Sequence, residues 1–597
     1  MAQRPSRCWS AGLRMEDFSP MASTRSFPTR GALRRPRFSP VDIVVFAAIA
    51  AALFGILRLA HAMNSSSSSA HVAVISTSPG ELPYYALRSL LRMFIAFFLS
   101  VAFTFVYATA AARSRRARVV LIPVLDILQS VPVLGFLAIT ITFFIALFPG
   151  SELGLECASI FAIFTSMAWN MTFSMYHSLV TQPEELDEAA RMFRLTKWER
   201  FWRLDVPSSM IGLVWNGMMS FGGGWFFLAA SEAISVGDKH YTLPGIGSYV
   251  QAAVDKGDMG EVGIAIVVMV IMVVGVNVLF WRPLVAYSEK FRVETSEAAE
   301  QPKSHVLSLL RQSRVPGYIA RPLRPVARGL DRATRPFGLA EYALRTPRRK
   351  RRAGDVVFAG ATGAVIAWGI YRGAVYFGHS AGYGQFTRCL GLGFLTFLRV
   401  AVVVLVSTVV WVPVGAKIGM SPRLSRYAQP VVQVLASFPA ILLFPFAIVI
   451  FLDLGISLDY GGVLLMALGA QWYILFNVIA GASAIPTELR EMAAEFRFPW
   501  KQRWRELILP GIFPYYVTGG ITAAGGAWNA SIVAEIATYG RHHLAASGLG
   551  SYIAQATTRG DFADVLTGII VMSFYVVVVN RLLWRPLYHL AETRYSL

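Results

Sequence analysis

Pro183-Glu-Glu-Leu-Asp-Glu-Ala-Ala-Arg-Met-Phe-Arg-Leu-Thr-Lys-Trp-Glu-Arg-Phe-Trp-Arg-Leu-Asp-Val-Pro207 has a counterpart of equal length running from Pro486 to Pro510. Each copy opens on proline, places acids in its first turn and bases later, the charge order that suits a helix macrodipole. In the first copy Leu186, Ala189, Ala190 and Phe193 recur at helical spacing and leave a compact apolar face on a charged loop. A second short helix follows, and Pro207 or Pro510 marks the return to apolar chain. One such loop could be two interfacial helices that only cover a bundle. Its repetition suggests two docking knobs for a two-fold partner, each offered to a groove as a helix.

Outward from these loops the repeat covers both halves of the chain. Adding 303 to a residue number carries Glu188 to Glu491, Phe193 to Phe496, Arg194 to Arg497, Trp225 to Trp528 and Glu232 to Glu535. The same shift superposes Gly245-Ile246-Gly247-Ser248-Tyr249 on Gly548-Leu549-Gly550-Ser551-Tyr552, and Trp281-Arg282-Pro283-Leu284 on Trp584-Arg585-Pro586-Leu587. Upstream the shift is 307, pairing Arg92 with Arg399 and Pro132 with Pro439. Shared membrane composition cannot hold register through charged, proline and tryptophan positions, so this is an internal duplication.

The chain is 55% hydrophobic and only 15% charged, against about 25% charged in soluble domains; its mean hydropathy is +0.51. Apolar runs long enough to cross a bilayer fall near 41–63, 88–112, 124–148, 155–180, 209–233 and 261–283, and again near 355–378, 390–416, 430–452, 461–485, 511–536 and 562–585. The expected fold is therefore an all-α polytopic membrane protein of about twelve transmembrane helices. The two six-helix units lie in parallel orientation, because six spans return each copy to the same side. Expected boundaries are a basic tail over 1–40, unit one over 41–288, a basic linker over 289–353 and unit two over 354–597. The tail also reads as an over-long gene start, with Met15 and Met21 as alternatives. Most of the net charge of +20 sits in the tail, in Arg113–Arg118 and in the linker, and the Lys and Arg residues of the two quoted loops fall on the same side. That is the positive-inside pattern, which puts both termini on the cytoplasmic side and makes nucleic acid no partner. Cys8, Cys157 and Cys389 have no metal or redox spacing. A Cys157–Cys389 bridge across the outer face is conceivable and not favoured.

The quoted segments resemble the EAA loop of binding-protein-dependent ABC importer permeases, in which Glu-Ala-Ala is followed after three residues by Gly and later by Leu-Pro. Glu188-Ala189-Ala190 with Val206-Pro207, and Glu491-Met492-Ala493 with Leu509-Pro510, carry the match. With Gln129-Ser130-Val131-Pro132 and Ala436-Ser437-Phe438-Pro439, the wider sequence is most similar to the nitrate/sulfonate/taurine/bicarbonate anion permeases. It looks like the branch with two permease units fused in one polypeptide. Two departures stand out. Arg194 and Arg497 replace the family's Gly, which leaves the hairpin angle open, and Met492 replaces an Ala. The resemblance implies a transport permease of the bacterial inner membrane, with ATPase-coupling loops at Glu188, Ala189, Ala190, Phe193, Arg194, Pro207, Glu491, Met492, Ala493, Phe496, Arg497 and Pro510. It also implies an extracytoplasmic substrate-binding protein and an ATPase dimer as partners. The chain contains no Gly-x-x-x-x-Gly-Lys-[Ser/Thr], so ATP would be used by the partner, and no cofactor or metal is expected in the chain itself.

Within the apolar runs, Trp225, Glu232, Trp528 and Glu535 are the candidate translocation-path residues. For the two carboxylates the competing reading is an interfacial group bonded to a neighbouring helix, and an anion path favours that or a paired role. Arg92 and Arg399 are expected to snorkel to the outer interface. Gly222-Gly223-Gly224 and Gly525-Gly526 suit close helix contact. The outer segments 237–260 and 540–561 are expected to hold short helices. The alternative is a twelve-helix secondary transporter of major-facilitator type. It lacks that family's Gly-x-x-x-Asp-Arg-x-Gly between spans two and three and leaves the hairpins unexplained. A membrane enzyme finds no grouping of nucleophile, base or metal ligands.

Overall fold

The computed structural model describes residues 75–149, 151–236, 239–291, 304–313, 382–539 and 542–594, with positions 46, 325, 329–334 and scattered residues of 360–375. Apart from those scattered positions, the expected first and seventh spans, the 1–40 tail and most of the linker lie outside the described residues. In the first half, α1 is Leu82–Arg113, α2 Arg115–Ser130, α3 Val133–Leu147, α4 Leu153–Val180, α5 Glu184–Met192, α6 Lys197–Arg200 and α7 Val206–Glu232. A hairpin of β1 (Ala233–Val236) and β2 (Lys239–Thr242) follows, then α8 (Ile246–Lys256), α9 (Met259–Val276) and α10 (Arg282–Ser288). The linker contributes α11 (His305–Gln312). In the second half, α12 is Gly382–Gly419, α13 Pro422–Ser437, α14 Phe444–Leu454, α15 Leu458–Ala484, α16 Thr487–Glu495, α17 Trp500–Gln502 and α18 Leu509–Ala534. The half closes with β3 (Ile536–Tyr539), β4 (His542–Ala545), α19 (Leu549–Arg559), α20 (Phe562–Val579) and α21 (Arg585–Arg594). The outer segments thus hold the expected short helices, α8 and α19, each preceded by a strand hairpin that the sequence does not announce.

Six described helices are long and apolar enough to cross a membrane, or eight if two sharply bent helix pairs each count as one span. Helices α4 and α7, of 28 and 27 residues, occupy the places that α15 and α18 hold in the second half. One expectation needs correcting. The third span of each unit, read as continuous over 124–148 and 430–452, is instead broken: α2 and α3 meet at 99°, and the corresponding pair in the second half meets at 81°. The cause is local. Pro132 and Pro439 force the residue before them out of the helical region, and Val131 (φ −79°, ψ 123°) and Phe438 (φ −73°, ψ 130°) are extended.

In each half the central helix packs on both flanks, α4 between α1 and α7 and α15 between α12 and α18. The halves are joined by exchange of their bent pairs. Val133, Leu134, Leu137 and Ile141 of α3 are buried in the second half's core. Leu442, with Val434 and Phe438 against it, packs into the first half's core. π-helical turns at Phe201–Asp205, Asn277–Trp281, Arg503–Ile508 and Asn580–Trp584 recur at matching places and splice a short helix onto a long one without a break. Cys157 and Cys389 are free thiols.

Candidate functional site

The hairpin α5–α6 and its counterpart α16–α17 lie at the same end of the two halves. Each first helix closes in a Schellman motif: Leu195 N–H donates to the Ala190 carbonyl (3.1 Å) and Arg194 N–H to Arg191 (3.0 Å), while Phe498 donates to Ala493 and Arg497 to Ala494 at 3.0 Å. The residue after such a cap takes a left-handed backbone, and Arg194 (φ 48°) and Arg497 (φ 49°) do so. These are the only positive-φ residues other than glycine among those described. The arginines therefore keep the turn that glycine would ordinarily provide, at a local cost of about 1–2 kcal/mol each. Thr196 and Glu199 form a capping box that starts α6.

The expected apolar face of this hairpin splits in two. Ala190 and Ala493 are buried against their own bundles, whereas Phe193 (78% exposed) and Phe496 (71%) stand out into solvent. Glu188, Glu491, Met492, Arg194 and Arg497 are exposed too, Ala189 is half-buried, and Pro207 and Pro510 are half-buried at the start of α7 and α18. The hairpins are anchored differently. In the first half Asp187 pairs with Arg200, and Asp205 pairs with Arg113 and, at 3.6 Å, with Arg200. In the second half those acids are replaced by Arg490 and Ile508, and Arg490 instead donates to the carbonyls of Ala482 (2.7 Å) and Ser483 (3.0 Å) at the end of α15.

At the opposite end, Glu232 and Glu535 enter ionic clusters. Arg92 grips Glu156 with two nitrogens and reaches Glu232 with a third (2.7 Å), and Arg88 also meets Glu156 at 2.5 Å. Ser89 Oγ donates to Glu232 (2.5 Å), which also accepts the Gly247 N–H (2.7 Å). All four ionic side chains are at most 2% exposed. Arg92 does not snorkel: two carboxylates inside the bundle offer it charge-assisted hydrogen bonds in place of water. The second half repeats the plan, Arg399 joining Asp459 and Glu535 at 2.8 Å, with Thr396 on Glu535 and the Gly550 N–H closing it. A Cβ at Gly245 or Gly548 would collide with the glutamate carboxylate, so glycine is required there. Each cluster ties α1, α4, α7 and α8, or their equivalents, into one rigid end. Glu156 and Asp459 went unnoticed in the sequence. They are partners under the shift of 303, and that register was the available signal.

Midway between the two ends, α7 of the first half faces the bend of the second. Met218, Gly222, Trp225, Gln433 and Ser437 line the cleft, and Tyr473 extends it. Trp225 is buried with Phe221 and Trp281, while Trp528 stacks on Tyr575. From the other side, the Val133 N–H at the start of α3 donates to Asn529 Oδ1 of α18 (2.8 Å). Ser437 lies in the Ala436-Ser437-Phe438-Pro439 motif, whereas Gln433 and Tyr473 carried no sequence signal, and the meeting of the three with the first half depends on the contact between halves. No group of His, Cys, Asp and Glu that could hold a metal occurs among the described residues.

The family model described as "Binding-protein-dependent transport system inner membrane component" matches twice, over residues 100–285 and 390–585. A nitrate import permease of Synechococcus elongatus is 30% identical over 198 residues, 33% of this chain and 67% of that protein. A putative aliphatic sulfonates transport permease of Bacillus subtilis is 29% identical over 184 residues, 29% of this chain and 63% of that one. A bicarbonate transport system permease of S. elongatus is 25% identical over 183 residues, 31% and 63% respectively. The chain thus spans about two thirds of the length of these relatives.

Proposed function

This chain belongs to the family of binding-protein-dependent transport system inner membrane components, and we propose that it supplies both halves of the transmembrane passage in an ATP-driven importer of a small anion. The relatives named for nitrate, aliphatic sulfonates and bicarbonate support the anion class. Family membership sets aside the secondary-transporter alternative. The observation that carries the reading is the pair of hairpins with the same backbone, each presenting an exposed phenylalanine beside an exposed glutamate and a left-handed arginine. A dimeric ATPase on the cytoplasmic side would take one hairpin in each subunit, and a substrate-binding protein would dock at the opposite face. In this reading the termini and linker are cytoplasmic, the multi-pass chain sits in the bacterial inner membrane, and the permease units span 41–288 and 354–597.

Force then has a route. Helix α6 runs through the Phe201–Asp205 turn into α7, whose 27 residues extend about 40 Å from the hairpin past Gly222 to Glu232. The Arg–carboxylate clusters hold the far ends, so a hairpin displacement tilts a half as a body and does not fray it. Trp225 moves with α7 at the cleft. Glu232 and Glu535 serve as the far anchors of that tilt.

The test is to purify the chain together with the products of its neighbouring genes and ask whether an ATPase co-elutes. The unmodified chain should retain the ATPase, and Glu188→Lys combined with Glu491→Lys should release it. An ATPase that stays bound to the double variant would overturn the docking assignment.

A further inference from the structure

The polar side chains of the cleft between the halves come mainly from the second half, with Asn277 the first half's contribution. Among the described residues Gln433 Nε2 finds only the thioether of Met218 (2.7 Å), a weak acceptor. The Ser437 and Tyr473 hydroxyls have no side-chain hydrogen-bond partner among the described residues. All three are half-buried and lie around one narrow space, where a ligand can take the hydrogen bonds that no side-chain acceptor takes. The matching positions of the first half are spent or different. Ser130 Oγ donates to the Asp126 carbonyl (2.8 Å) and Asn170 to Ser220 (3.0 Å), while Gln433 itself is replaced by the acid Asp126. The glycines are unequal too. A Cβ at Gly222 would lie 2.8 Å from Ser437 Oγ and one at Gly223 3.0 Å from Tyr473 Oη, whereas Gly525 faces open space.

Resting on the importer reading, we propose that Gln433, Ser437 and Tyr473 of the second half are the specificity-determining donors of the passage, and that they take a small oxyanion across the Gly222–Gly223 surface of the first half. An oxyanion accepts several hydrogen bonds at once, and amide and hydroxyl donors meet that demand. Among the described residues no lysine or arginine lines the cleft, so the ion is recognised without being trapped by a fixed charge. The two halves, though copies, do unequal work: the second supplies most of the donors, and the first faces them with the Gly222–Gly223 surface flanked by Met218, Trp225 and Asn277.

Proteoliposomes carrying the full chain with its ATPase and binding protein test this, with uptake of nitrate, ethanesulfonate and bicarbonate as probes and ATP hydrolysis measured in parallel. Gln433→Met, Ser437→Ala and Tyr473→Phe each remove a donor at nearly constant volume. Each should slow uptake about tenfold, the usual effect of losing one hydrogen bond to a charged group, while binding-protein-stimulated hydrolysis persists. Gly222→Ala should slow uptake and Gly525→Ala should not. Uptake by the triple donor variant at the unmodified rate overturns the proposal and leaves the importer reading standing. Loss of hydrolysis in step with uptake also overturns it, by showing a packing role. An unmodified assembly that moves none of the three anions overturns both.

Discussion

Arg92 is the residue on which the far end of the first half turns. Its removal would leave Glu156 with Arg88 alone and Glu232 with no cation, both carboxylates being fully buried. Breaking a buried ion pair from one side costs about 3–5 kcal/mol, so Arg92→Leu should lower the thermal midpoint of the detergent-solubilised protein sharply. Arg399→Leu should cost less, because Asp459 is 42% exposed and water can take over part of the lost contact. A second residue-scale prediction concerns the left-handed arginines. Glycine adopts their φ without strain, so Arg194→Gly with Arg497→Gly should keep both hairpins folded and should retain the ATPase on co-purification. That Arg92 is paired within the bundle was not legible in the sequence. Its position near a span end argues for snorkelling, and only the folded neighbours Glu156 and Glu232 reverse the argument.

Among the elements, the two hairpins share a backbone and differ in what holds them. Asp187 and Asp205 bind the first to Arg113 and Arg200 through partly exposed ion pairs, whereas Arg490 binds the second through neutral carbonyls. Salt screens the first kind of contact more than the second. Proteolysis at the first hairpin should therefore accelerate as ionic strength rises, with little change at the second, and Asp187→Asn combined with Asp205→Asn should remove most of that difference. The hairpins themselves were legible, since proline, acids, bases and an equal repeat announce them. The break in the third span was less so. Val131-Pro132 and Phe438-Pro439 lie in plain view, but an apolar run broken by one proline reads equally as a kinked or a continuous helix.

For the whole molecule, the decisive contact is the seat of the first half's Gly222 on the second half's Ser437. A Cβ at Gly222 would lie 3.5 Å from that of Ser437, within the separation that a disulfide spans. In a chain whose native cysteines are replaced by serine, Gly222→Cys with Ser437→Cys should crosslink on mild oxidation. If opening requires the halves to part, uptake should then stop and return on reduction, with ATPase binding unchanged throughout. By itself the sequence determined that this is a duplicated helical membrane protein with two equal hairpins on one side. Hydropathy, charge placement and repeat register are properties of the chain in order, and they survive without knowledge of contacts. Only the tertiary structure decided that the copies are unequal at their centre and that the buried charges are paired. It also decided that each half lends its bent helices to the other's core. Those facts depend on which side chains meet across separations of 60 to 396 residues, and a repeat that treats both copies alike carries no record of where their partners differ.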